Sequence, residues 1–279
     1  MSDRDRAGRP AWDGVIELPV PGRLRKPRER GLTMVIDKGL GLNAIDDLMQ
    51  VAAPAIDVLK LTFGTSALFG HDVLKEKVRT VTAHGVHCMP GGTLQEVAVW
   101  QGALERYLDR ARELGFDAIE ISDGTIEMDA GTRAAAIAKA VKAGFRVLSE
   151  VCKKDPADAQ PMSALAEIVN ADLDGGAFMV IMEAREAGKG VGIYDASGLP
   201  KEAEIEAFLR GVRDPARILW EAPLGPQQRY LVLRFGANVS LGNVAPEDIL
   251  ALEALRCGLR GDTLKRAWLA DPGRGGAAS

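Results

Sequence analysis

The chain has 279 residues, of which 47% are hydrophobic and 27% charged; 35 Lys plus Arg face 39 Asp plus Glu, for a net charge of −4. These values exclude intrinsic disorder, because there is ample apolar surface to bury, and they argue against a nucleic-acid binder with a broad basic surface. A chain this long buries roughly 75% of the surface its unfolded form exposes, enough for one large core.

Residues 1–29 are rich in Arg, Pro and Gly and lack hydrophobic periodicity, which predicts a partly ordered N-terminal extension. From Thr33 onward, short apolar runs alternate with longer helical patterns. The runs cover 33–37, 57–61, 86–89, 118–121, 146–151, 178–183, 217–221 and 238–241. They are rich in Val, Ile, Leu, Met and Phe and alternate little with polar residues, as strands buried on both faces do. Apolar residues at helical spacing mark 72–83 and 129–143. Gly85, Gly115, Gly144 and Gly176 each fall between a helical pattern and the next run, where a helix C-cap favours glycine. The end of the chain, 271–279, reads as a frayed tail. Eight strand–helix units within 30–270 predict a single-domain α/β fold, a (β/α)8 TIM barrel. An open doubly wound sheet would carry G-x-G-x-x-G after its first strand, and Lys38-Gly39-Leu40-Gly41 lacks the third glycine. No run approaches the ~18 apolar residues of a membrane helix, and the charged start carries no signal-peptide pattern. Cys88, Cys152 and Cys257 lie too far apart in sequence for a disulfide framework. A cytoplasmic protein with no membrane or nucleic-acid partner is therefore expected.

In a barrel the C-terminal ends of all eight strands surround one mouth, where active sites form. Here those ends carry Asp37 and Lys38, then Lys60, then Glu120 and Asp123, then Glu150, Lys153 and Lys154, then Glu183 and Arg185, then Glu221, and last Asn243. Facing the apolar helix layer would desolvate the carboxylates, so they are expected to point inward or upward. Such an oxygen-rich set suits Mg2+ far better than Zn2+. A buried salt-bridge network that merely closes the barrel is the structural alternative. The loops 223–228, with Gln227, and 242–246, with Asn243, precede helix N-termini and are candidates for anion binding. His84, His87 and Cys88 lie at the opposite end of their strand and read as structural. Cys152 reads as a packing residue. No G-x-S-x-G or P-loop pattern occurs.

Taken together, the strand-end motifs resemble the phosphosulfolactate synthase family. The matching stretches are RGLTMVIDKGL from Arg30, DVLKLTFGTSA from Asp57, MPGGTL from Met89, LGFDAIEISDG from Leu114, VLSEVCKK from Val147, EAREAGKGVGIYD from Glu183, WEAP from Trp220 and LRCGLRGDT from Leu255. The resemblance implies a (β/α)8 barrel that adds sulfite to phosphoenolpyruvate with Mg2+, giving (2R)-phospho-3-sulfolactate on a route to coenzyme M. It implies that Lys154 protonates C2, with Lys153 as the local competitor. It also implies Asp37, Glu120 and Glu150 as metal-side carboxylates, and Lys60, Arg185, Asn243 and Gln227 as binders of substrate anions. Plant relatives in the family are heat-stress-associated proteins, so membership alone does not guarantee the activity. One rival reading is a Schiff-base lyase or aldolase using Lys60, Lys153 or Lys154, which borohydride trapping would reveal. Another is a non-catalytic stress or interaction protein on the same fold. A homo-oligomer is expected.

Overall fold

The computed structural model describes residues 11–271. The outer parts of the expected extension and tail, 1–10 and 272–279, lie outside the described residues. Eight strands form: β1 (Thr33–Asp37), β2 (Val58–Leu61), β3 (His87–Pro90), β4 (Ala118–Ile121), β5 (Arg146–Val151), β6 (Met179–Met182), β7 (Ile218–Glu221) and β8 (Ser240–Val244). The helices are α1 (Leu42–Ala52), α2 (His71–Ala83), α3 (Gly92–Trp100), α4 (Leu104–Glu113), α5 (Ala130–Lys142), α6 (Met162–Asp174), α7 (Glu202–Gly211), α8 (Gly225–Phe235), α9 (Ile249–Arg256) and α10 (Gly261–Ala270). Every ladder is parallel, in the order β3-β2-β1-β8-β7-β6-β5-β4. The fold is the expected (β/α)8 barrel in one domain.

Both strand faces are buried, which explains the continuous apolar runs. Met34, Val58, Met89, Ala118, Leu148, Ile181 and Leu219 pack together inside the barrel. Their strand neighbours, such as Val35, Leu59, Ile119, Val147 and Val180, pack against the helices. The glycines expected after helices are in the left-handed region, at φ +65° for Gly85, +90° for Gly115, +84° for Gly144 and +101° for Gly176. β8 begins at Ser240 rather than at 238. Asn238 instead holds the N-terminal segment, accepting from Leu24 N and donating to Gly22 O.

That segment seals the lower end of the barrel. Lys26 donates to Ala53 O and Ile56 O. The buried Arg28 pairs with Asp57 at 2.9 Å, and Arg23 pairs with Glu253 at 2.8 Å. The extension is thus ordered where it meets the barrel. Arg256, fully buried, donates to the carbonyls of Ala237 and Val239.

Among the described residues, β3 and β4 share no ladder. Side chains join them instead. Cys88 N donates to Asp117 Oδ1 at 2.8 Å, Gly92 N to Glu120 Oε1 at 2.9 Å and Ser122 N to Gln95 Oε1 at 2.9 Å. Helix α3 closes the upper part of this seam. Among the described residues, no helix is long and apolar enough to cross a membrane.

Candidate active site

The two-residue period of a strand builds the site. Lys60, Glu120, Glu150, Glu183 and Glu221 each stand two positions beyond an inner apolar residue: Val58, Ala118, Leu148, Ile181 and Leu219. All five therefore point into the mouth, directly above the apolar layer. Lys60 Nζ lies 2.7 Å from Glu120 Oε2, 3.3 Å from Glu150 Oε2 and 3.4 Å from Glu221 Oε1. Lys154 Nζ lies 3.6 Å from Glu96, 3.7 Å from Glu150 and 3.8 Å from Glu183. Ser122 Oγ is 2.9 Å from a carboxylate oxygen of both Glu96 and Glu150, and its one proton serves either. Backbone amides complete the frame: Ala184 N donates to Glu221 at 2.9 Å and Arg185 N to Glu183 at 2.5 Å.

Burial dominates the electrostatics. It pushes the Glu120 carboxyl up to about 8, against the pull of Lys60. Burial, together with the Glu150 and Glu221 charges, holds Glu183 well above the carboxylate range, and burial likewise raises Glu221. Glu150 behaves oppositely: burial is outweighed by Lys60 and Lys154, and its carboxyl stays well below the usual range. Burial also opposes the charge on both lysines. Glu120, Glu150 and Glu221 overcome it at Lys60, and Glu150, Glu183 and Glu96 overcome it at Lys154, so both amines are held above their ordinary value.

The structure separates the expected site residues into two groups. Lys60, Glu120, Glu150 and Lys154 meet as described. Arg185 and Asn243 join Lys60, Glu120 and Lys154 around a cavity of about 120 Å³ that also touches Glu183 and Glu221. Asn243 is buried, and its Oδ1 has no protein partner. Three residues depart from expectation. Asp37 follows Val35 outward into the helix layer, where Lys77 of α2 meets it at 2.6 Å and Gly39 N and Leu40 N donate to it. The desolvation argument fails there because a buried cation compensates. Lys153 turns away from the mouth and holds the loop after β4, donating to Asp123 O at 2.7 Å and Ile126 O at 3.0 Å. Gln227 spends both amide protons on Gly188 O and Gly198 O and accepts from Leu224 N, so it shapes the loop before α7.

The arrangement fits a hard divalent cation. Glu150, Glu183 and Glu221 are all buried and offer oxygens within 4.8 Å of one another. Five carboxylates, those of Glu96, Glu120, Glu150, Glu183 and Glu221, face two ammonium groups, Lys60 and Lys154. Full ionisation would leave three negative charges in excess, so the all-oxygen donor set favours added positive charge. The trio whose oxygens could meet on one cation is Glu150, Glu183 and Glu221, and Asp37 lies outside it. Glu120 adjoins it through Lys60.

Sequence reasoning missed Gln95 and Glu96, both on α3 and both buried. The available signal was Gly91-Gly92 just before them, a pair without side chains that lets a helix enter the mouth. All four described non-glycine residues with positive φ, Phe63, Cys152, Arg185 and Asn243, also stand at strand ends around this mouth. Backbone strain gathers at functional sites.

Residues 21–262 match the family model described as (2R)-phospho-3-sulfolactate synthase (ComA). A phosphosulfolactate synthase from Methanothermobacter thermautotrophicus is 46% identical over 252 residues, covering 90% of this chain and 97% of the relative. The Bacillus subtilis phosphosulfolactate synthase is 38% identical over 253 residues, covering 90% and 98%. A heat-stress-associated protein of Arabidopsis thaliana is 24% identical over 258 residues, covering 84% and 88%. Among solved structures, a phosphonopyruvate hydrolase in complex with oxalate and Mg++ shares the fold at a TM-score of 0.52 and 15% identity, with 88% of this chain and 83% of that chain covered. From the family model and the two synthase relatives it follows that this chain is an enzyme of the carbon–sulfur bond-forming lyase type, a member of the (2R)-phospho-3-sulfolactate synthase family.

Proposed function

We propose that the enzyme adds sulfite to phosphoenolpyruvate with Mg2+, giving (2R)-phospho-3-sulfolactate, and that Lys154 delivers the proton. The observation that carries this reading is the Lys154 ammonium, about a quarter exposed and tethered by Glu96, Glu150 and Glu183 beside the mouth cavity. Sulfite brings its own nucleophilic lone pair, so no side-chain nucleophile is required. Sulfur bonds to C3, the C2–C3 π pair moves toward the carboxylate, and a proton then adds at C2. No bond to a leaving group breaks, and the proton that Lys154 gives up returns from bisulfite or solvent.

Glu150, Glu183 and Glu221 would hold the Mg2+. When bound, the ion supplies positive charge where the substrate carboxylate gathers electrons. Lys154 stays protonated at neutral pH because carboxylates surround it, which makes it a donor. Arg185 and the Asn243 side-chain NH2 group, both lining the cavity, would donate to the substrate's anionic oxygens and orient it. Once the acids of the mouth ionise they would repel two anionic substrates, and a bound cation would offset that charge. The same ring of acids disfavours an imine, because a Schiff-base lysine must lose its proton.

Incubation with phosphoenolpyruvate, sulfite and Mg2+ should yield phosphosulfolactate by mass spectrometry. Product should vanish with a chelator and in Lys154→Ala. Folded enzyme that neither forms product nor binds phosphoenolpyruvate would overturn the proposal.

A further inference from the structure

We infer that Glu96 is a positioning residue that sets Lys154 over the substrate by clamping it to the loop after β4. The inference rests on the reading of Lys154 as proton donor. Its first support is how α3 reaches the site. Gly92 N bonds Glu120 Oε1, and a Cβ at Gly92 would lie 2.4 Å from that oxygen and 2.7 Å from Ser122 Cβ. Only glycine allows this approach. One helical turn later the approach delivers Glu96 into the mouth at 1% exposure.

The second support is the division of labour between the two carboxylate oxygens. Oε2 accepts from Thr125 N at 2.9 Å and Ile126 N at 3.1 Å. Oε1 faces Ser122 Oγ at 2.9 Å and Lys154 Nζ at 3.6 Å. One oxygen holds the loop and the other holds the lysine. The loop in turn supports the lysine. Lys154 N donates to Gly124 O at 2.9 Å, and a Cβ at Gly124 would lie 3.1 Å from Lys154 Cε. A buried carboxylate without these partners would be costly; the two loop amides, the Ser122 hydroxyl and the Lys154 ammonium together offset that cost.

Glu96→Gln separates the two roles. Its carbonyl oxygen still accepts from Thr125 and Ile126, and its amide donates to Ser122 Oγ, but the charge that tethers Lys154 is gone. Glu96→Ala removes both functions. Three readings should be taken on each variant: kcat and KM for phosphoenolpyruvate, hydrogen exchange at Thr125 and Ile126, and acylation of Lys154 relative to Lys38 by peptide mapping. For Glu96→Gln we expect kcat to fall about tenfold, KM to change less than twofold, the two amides to stay protected and Lys154 to acylate faster. Glu96→Ala should also expose the two amides. Wild-type kcat together with unchanged Lys154 acylation in Glu96→Gln would reduce Glu96 to a loop anchor and overturn the inference. If the native enzyme forms no phosphosulfolactate, the donor reading fails, and the acylation arm alone decides whether Glu96 holds the lysine. Should Glu96→Gln not fold, Glu96→Asp keeps the charge but loses one methylene of reach. A kcat loss of the same order is then expected, and a wild-type kcat would overturn the clamp.

Discussion

The two ends of the barrel bury charge in opposite ways. At the floor cations are in excess: Arg28 has Asp57 and Arg23 has Glu253, while Lys26 and Arg256 are met by backbone carbonyls alone. At the mouth five carboxylates share two lysines, Asn243 Oδ1 lacks a partner, and the positive-φ residues collect. Backbone carbonyls solvate the cationic excess at the floor, which serves the fold. The carboxylate excess at the mouth instead borders a cavity, where an added cation would offset it. The sign of the excess and its access to a cavity, rather than burial, therefore separate the two ends.

That contrast can be broken by mutating one end at a time. The largest effect is expected for Lys154→Ala, with turnover per folded molecule lower by about 10²–10⁴-fold, while the loss of a counter-charge beside Glu150 also lowers the thermal midpoint. Arg28→Ala should cost stability alone. It leaves Asp57 buried without its cation, at a cost of about 3–5 kcal/mol in urea unfolding, while activity per folded molecule is unchanged. If Arg28→Ala instead lowered activity at full stability, the division between the ends would collapse. Glu183→Gln sharpens the argument about the cation. Saturating Mg2+ should stabilise the parent by about 2–3 kcal/mol at 100 times its Kd, and the variant should lose most of that gain in a thermal scan.

The smallest expected effect is a pH slope. Glu120 titrates near 8 in the fold and near its ordinary 4.5 when unfolded, so the native state binds a proton that the unfolded chain has released. Its contribution is complete below 4.5 and is lost as pH rises through about 8. Metal-free enzyme should therefore lose at least about 1 kcal/mol between pH 5 and 9, and Glu120→Gln should flatten the curve. Glu183 and Glu221, raised in the same direction, keep the variant from losing the slope entirely.

Most of the barrel was legible in the sequence because strands buried on both faces and glycine C-caps leave local marks. The carboxylates at the strand ends were legible for the same reason. What the residues alone did not reveal was direction and partnership. Asp37 and Glu120 are both acids near strand ends, yet one follows Val35 outward and the other follows Ala118 inward. The cation that makes the outward choice tolerable is Lys77, forty positions away on a helix. Lys153 and Lys154 are adjacent, and the turn at Cys152, with φ +91°, sends one to the loop and the other to the mouth. Glu96 leaves no strand-end mark in the sequence because it enters the mouth from a helix rather than from a strand end. The family resemblance supplied the expected chemistry, and the folded geometry supplied the distinction between acids that border the cavity and acids that brace the helix layer.

The seam between β3 and β4 ties assembly to competence. Glu120 reaches across it with one oxygen to Gly92 N and meets Lys60 with the other. The same side chain is thus both the latch of the cylinder and part of the wall of its mouth cavity. Were the seam to part, Lys60 would lose its nearest carboxylate along with the joint. Shut wall and ordered mouth stand or fall together.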